Sequence, residues 1–345
     1  MTDPGQPDAA HDALASGTAP PRAAGRRRLM TAVKLALVVV LIWGIHRTLN
    51  TAADQLHARH WSPAQLRPGW LVAAMALYLL GLLPSALFWH RILHAMGQQA
   101  GLGETLRAYF IGHLGKYVPG KALVVVLRTG LIRSHRVDGT VAAISVFYET
   151  LTMMAVGACV AAVILAVWFS EHAWFVALAA MLVVAAGLPT HPAVFRRLVA
   201  RLRRGRSSER VLAELSQLNY RTLAVAWLAI AGGWCLVGLS LWATLAAGGF
   251  AHWPLSGHDA GVCIASAALA VVAGFLSLIP GGAGVREAVL IELLQPSFGA
   301  DGAVISAIVA RVAWLAAEVL VSAVLYAAGR SPQQRGSFNP PQRIE

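Results

Sequence analysis

The residues able to do chemistry in this sequence are ionisable groups inside apolar stretches, where a charge is costly and normally has a function. Lys116, Lys121 and Arg128 fall in ETLRAYFIGHLGKYVPGKALVVVLRTGLIR (104–133), and Arg286 and Glu287 in SLIPGGAGVREAVLIELL (277–294). Glu149 stands near the middle of an uncharged stretch. Arg311 and Glu318 share the last apolar segment seven residues apart, hence on one helical face. Arg128 is a candidate partner for Glu149. No HExxH, GxSxG or DxD pattern accompanies these groups, and Cys159, Cys235 and Cys263 lie in apolar runs without CxxC spacing. No catalytic residue, metal site or cofactor is therefore assigned. Lysines, arginines and free backbone N–H groups can together hold an anion, a phosphate above all.

Both basic stretches are interrupted by helix breakers. Pro119 and Gly120 follow Lys116 and Tyr117, and Pro280, Gly281, Gly282 and Gly284 precede Arg286 and Glu287. Proline removes a helix hydrogen bond and glycine frees the backbone, so each segment should break and restart. The restarts, near Ala122 and Ala283, would present free N–H groups and a positive dipole end. Charges on both sides of the first break suggest a re-entrant hairpin. Broken backbone at membrane depth is tolerated where it is buried in protein or lines a wet cavity. Paired interruptions in two halves of a membrane protein point to its binding site. GKYVPGKA (115–122) approaches the phosphate-loop pattern GxxxxGK[ST], but Ala122 replaces the hydroxyl and no strand precedes it, so ATP hydrolysis is not expected.

The elements that must position these groups are membrane helices. Of 345 residues, 57% are hydrophobic and 13% charged, far from the quarter charged that is usual in soluble domains. Apolar stretches at 29–49, 69–89, 139–170, 173–190, 222–251, 260–285 and 302–329 are near or above the ~20 residues needed to cross a bilayer. The expected fold is an all-α polytopic membrane protein of about seven spanning helices plus two re-entrant or broken segments. A disordered tail at 1–28, a membrane domain at 29–330 and a second disordered tail at 331–345 complete it. The Pro119 and Pro280 breaks suggest an inverted repeat, the first hairpin entering from the cytoplasm and the second from outside.

The net charge of +12 could suggest nucleic acid, but its sidedness gives a better account. With a cytoplasmic N-terminus, Lys and Arg number 20 in the first three inner segments and 3 in the alternating outer ones. Arg26-Arg27-Arg28 before the first apolar segment reads as an anchor for a retained helix rather than an export signal. The basic loop FRRLVARLRRGRSSER (195–210), with Leu198, Val199 and Leu202 on one stripe, is either an ordinary cytoplasmic loop or one lying on anionic headgroups.

The pairing of GKYVPGK…R (115–128) with IPGGAGVRE (279–287) resembles the lysylphosphatidylglycerol synthase transmembrane-region family, over roughly residues 30–330. The resemblance implies a helical, flippase-type domain whose inner cavity moves lipid-linked anions between leaflets of a bacterial inner membrane. Lys116, Pro119, Gly120, Lys121, Arg128, Pro280, Gly281, Gly282, Gly284, Arg286 and Glu287 match the family's motifs. Glu149 falls where such proteins often carry Glu-Arg, with Thr150 in place of the arginine. No segment resembles the aminoacyl-transferase domain of the full-length synthases, so lipid aminoacylation by this polypeptide is not expected. The expected cargo is an anionic phospholipid or a polyprenyl-phosphate-linked lipid, with a lipid synthase or glycosyltransferase as a partner and no nucleic acid. The alternative is a membrane-embedded enzyme or subunit for group transfer onto a lipid phosphate, with Glu149 or Glu287 as base.

Overall fold

The computed structural model describes residues 42, 43, 46, 47, 50, 51 and 54, and then 61–118, 122–134, 136–168, 173–202, 220–277 and 279–329. The two tails, nearly all of the 29–49 segment, Pro119, Gly120, Lys121 and residues 203–219 of the basic loop lie outside the described residues.

Nine α-helices occupy the described residues, with no strand among them: α1 (Pro68–Ala95), α2 (Leu102–His113), α3 (Ala122–Ile132), α4 (Gly139–Trp168), α5 (Ala173–Gly187), α6 (Pro192–Leu202), α7 (Tyr220–Ala247), α8 (Gly257–Leu276) and α9 (Val285–Ala328). Five of them, α1, α4, α7, α8 and α9, are long and apolar enough to cross a membrane. Their starts are chemically marked. Pro68 opens α1, Asp138 Oδ1 accepts from the Thr140 and Val141 amides at α4, and Ser256 Oγ accepts from the Asp259 amide at α8.

Loop contacts fix which helix ends lie together. The Gln99 amide donates to the Arg136 carbonyl at 3.3 Å, and the Asp138 amide to Gln98 Oε1 at 2.8 Å. The loops before α2 and after α3 therefore meet at one end of the bundle, taken as the lower end. With 12 and 11 residues, α2 and α3 reach only ~18 and ~16 Å, about half of a crossing. They form a hairpin that goes in and returns, as the sequence indicates. At its tight crossing, a Cβ on Gly115 would stand 2.9 Å from the Val124 amide nitrogen.

The second hairpin has the opposite sense. The Arg67 amide donates to the Ala247 carbonyl at 2.9 Å, placing the start of α1 and the end of α7 at the upper end. There, too, Trp168 at the end of α4 lies 5.2 Å from the His258 ring at the start of α8. Descending through 20 residues, α8 reaches a 3₁₀ turn at Pro280–Gly282, where the chain reverses. The first leg of α9 climbs back to Gly299, whose φ of 73° breaks the helix three residues after Pro296. Its second leg starts beside Phe250 at Gly302 and descends to the lower end, where Tyr326 lies 5.7 Å from the Arg107 guanidinium.

Two expectations about single elements change. The 260–285 stretch is not one span: its helix ends at Leu276, because Pro280 and the positive-φ Gly281 and Gly282 cannot continue it. The 173–190 stretch gives a 15-residue helix followed by a 3₁₀ turn at Leu188–Thr190. In α6, Phe195 joins Val199 as a buried residue, its ring 4.4 Å from Tyr148, while Leu198 of the stripe stays exposed.

Between apolar helices in lipid, close packing and hydrogen bonds supply the cohesion. Glycines let α1 and α7 touch backbone to backbone, for a Cβ on Gly81 would stand 2.7 Å from the Gly233 carbonyl oxygen. Nearby, Trp314 Nε1 donates to Ser240 Oγ at 2.8 Å, and that hydroxyl donates to the Ala74 carbonyl at 2.7 Å, binding α1, α7 and α9.

Candidate functional site

The two breaks meet. Gly281, whose φ of 61° suits glycine, lies against the first turn (Leu114–Tyr117): a Cβ there would be in contact range, 3.4 Å from the Tyr117 ring and 3.5 Å from Arg311 Nη2. Glu318, beside this turn, is 11 residues above Gly329, or ~16 Å along α9. Both turns thus lie near mid-depth, and each carries cations on its flanks.

Beside them is a cavity of about 540 Å³. Lys116, Arg128, Arg286, Glu149, His113 and Tyr78 line its polar side, with the Gly281–Gly282 backbone. Val125, Met154, Trp234, Val271 and Phe275 are among its apolar walls. Val126 of α3 and Phe147 of α4 also line it, yet they are 56% and 50% exposed. Phe147 lies eight residues, ~12 Å, along α4. The cavity therefore has exposed apolar side chains of α3 and α4 at its edge.

The charges form three clusters. Arg128 Nη1 donates to Glu149 Oε2 at 2.6 Å, and both side chains are essentially excluded from solvent, at 2% and 1% exposure. Arg128 also donates to His113 Nδ1 at 3.3 Å and stacks its guanidinium 3.9 Å from the Tyr109 ring centroid. Gly112 makes room for it, since any Cβ there would strike the Arg128 stem. In the second cluster, Glu318 Oε1 accepts from Lys116 Nζ and from the Tyr78 hydroxyl, with His113 Nε2 at 3.6 Å. In the third, Glu287 Oε1 pairs with Arg311 while its Oε2 accepts from the Gly284 amide at 2.6 Å, capping α9.

Arg286 stands apart. Its guanidinium lies 5.3 Å from the Trp314 ring, its stem runs against Gly274 and Gly282, and it faces no carboxylate among the described residues. Among the described residues, four cations (Lys116, Arg128, Arg286, Arg311) thus meet three carboxylates (Glu149, Glu287, Glu318), which leaves one positive charge in excess beside the cavity. Such a surplus in a low-dielectric setting favours an anion.

The sequence-derived residues divide accordingly. Lys116, Arg128, Glu149, Gly281, Gly282 and Arg286 line the cavity; Tyr117, Gly284, Glu287, Arg311 and Glu318 form a layer behind it. Although on one face, Arg311 and Glu318 do not pair with each other, each being claimed by a residue from another segment. Pro280 begins the second turn, while Pro119, Gly120 and Lys121 lie outside the described residues. Sequence reasoning missed Tyr78, Tyr109, His113 and Trp314. Of these only His113 gave a signal, standing three residues before Lys116 at the end of a half-helix; the aromatics look like any apolar-span residue. Among the described residues no group of His, Cys, Asp or Glu is placed to hold a metal.

One protein family, described as Lysylphosphatidylglycerol synthase TM region, matches residues 31–322. No curated protein matches the chain.

Proposed function

We propose, for a chain that belongs to the lysylphosphatidylglycerol synthase transmembrane-region family, that it translocates an anionic lipid between the leaflets of a bacterial inner membrane. The cargo class is an anionic phospholipid or a polyprenyl-phosphate-linked lipid. The observation that carries this reading is the cavity itself, which has an excess cation at its inner side and exposed apolar side chains of α3 and α4 at its edge. A phosphate could sit against Lys116, Arg128, Arg286 and the broken backbone while its acyl chains stay in the bilayer. Group transfer is less well supported. Glu287 has both oxygens engaged and Glu149 is held by Arg128, so neither carboxylate is free to act as a base. In this reading the lower end, rich in arginine at positions 91, 133, 136, 196, 197 and 201, is cytoplasmic.

The test is translocation of a fluorescent NBD-labelled phosphatidylglycerol in vesicles holding the purified protein, read by dithionite quenching of the outer leaflet. Protection that decays faster than in protein-free vesicles is expected. Equal decay, repeated with an NBD-labelled polyprenyl phosphate, would overturn the reading.

A further inference from the structure

We propose that Glu318 is a proton-binding site, filled when an anionic headgroup draws Lys116 away, so that one proton travels with each lipid anion. The inference rests on the translocation reading above and names the ion coupled to it.

Lys116 faces two ways. Its ammonium is bound to Glu318, and the same side chain lines the cavity with 20% of its surface exposed. Glu318 cannot follow it, being 1% exposed on the long leg of α9. The groups facing Glu318 are Tyr78 from α1, His113 from the end of α2, and Lys116 and Tyr117 from the first turn. On α9 itself, Arg311 is committed to Glu287 and Arg286 lies over Trp314. Among the described residues Lys116 is thus the cation that neutralises Glu318, because the Tyr78 and Tyr117 hydroxyls carry no charge. The second oxygen, Oε2, is buried, and no hydrogen bond ties it to a second cation among the described residues.

When a phosphate recruits Lys116, Glu318 would remain as an isolated buried charge, a state that is relieved by taking up a proton. A hydronium ion from the aqueous phase on the donor side gives its proton to a Glu318 oxygen and leaves as water, while the Lys116 N–H groups turn to the phosphate. On release both steps reverse. His113 lines the cavity and stands 3.6 Å from Glu318, where it can pass the proton between them. A monoanionic headgroup and one proton add to zero charge, so the pair crosses without moving net charge against the membrane potential. Since the loaded state holds one more proton than the empty one, lower pH favours loading. Within the titrating window, each pH unit downward strengthens apparent lipid affinity by up to tenfold.

The experiment uses full-length protein in phosphatidylcholine vesicles that enclose the pH dye pyranine and carry NBD-phosphatidylglycerol or the NBD-labelled polyprenyl phosphate. Acidifying the donor side by one unit should raise the initial translocation rate several-fold, and pyranine should report about one proton per lipid moved. Glu318→Gln should show no pyranine signal and a flat pH profile. Wild-type translocation that ignores the gradient and moves no proton overturns the proton site and leaves the proposed function standing. If wild type moves neither lipid, the translocation reading fails, and this inference with it. Should Glu318→Gln not fold, the wild-type proton count alone decides.

Discussion

Replacing Glu149 by glutamine separates a structural ion pair from a working one. In the wild type Arg128 and Glu149 are both almost wholly excluded from solvent and 2.6 Å apart. Removing one partner of such a pair strands a buried charge, at a cost of roughly 3–5 kcal/mol. The amide oxygen of glutamine can still accept from Arg128, and the Tyr109 ring and His113 still face the guanidinium, which favours the lower figure of about 3 kcal/mol. At roughly 2–4 °C per kcal/mol, the unfolding midpoint should fall by about 6–12 °C. Tryptophan fluorescence of detergent-purified protein can follow this, since Trp89 lies 5.6 Å from Arg128. Adding Arg128→Met removes the stranded charge and should restore the midpoint to within about 1 kcal/mol of wild type. Translocation should be lost in the double variant, because the Arg128 cation is needed for the phosphate. A drop below about 2 °C for Glu149→Gln would refute the burial argument. A stable double variant that still moves lipid would remove the pair from the transport path.

Arg286→Ala should leave expression and midpoint nearly unchanged, as no carboxylate depends on it, while weakening phosphate engagement by roughly 10–100-fold, read as translocation rate at limiting lipid. Gly81→Leu should prevent the α1–α7 contact and abolish the folded, monodisperse species in size-exclusion chromatography, whereas Gly69→Ala, with open space around it, should behave as wild type. Trp314→Phe should keep the stack on Tyr78, lose the hydrogen bond to Ser240 and destabilise by about 1 kcal/mol in the same fluorescence assay. In a background without native cysteines, Ser134→Cys should react with impermeant reagent only from the cytoplasmic side and Ser256→Cys only from outside; the reverse pattern would invert the proposed topology.

Much of the fold was legible because bilayer thickness and helix breakers act locally. Glycine and proline between Tyr117 and Lys121 announced a half-helix, and IPGGAGVRE announced another, each from its own dozen residues. The partners of the charges were not legible in the same way. Glu318 and Arg311 share a helix face, so spacing alone couples them, but Lys116 reaches Glu318 across 202 residues and Glu287 reaches Arg311 across 24. Tyr78 gave no sign of its contact with Glu318, since a tyrosine in an apolar span usually packs as a hydrocarbon with a polar tip.

The separation between Lys116 and Glu318 also bears on how the chain is made. Translation at about 5–20 residues per second places the acid at the insertion site roughly 10–40 s after the base. During that interval the α2–α3 hairpin, whose helices are too short to span a bilayer, carries Lys116 and Arg128, and of their two acids Glu149 arrives early. Such a hairpin has no stable place in lipid by itself. It must wait at the membrane surface, or within the insertion machinery, until α9 delivers Glu318. Depletion of factors that shelter half-inserted segments should therefore strike this protein before it strikes one built of simple spanning helices.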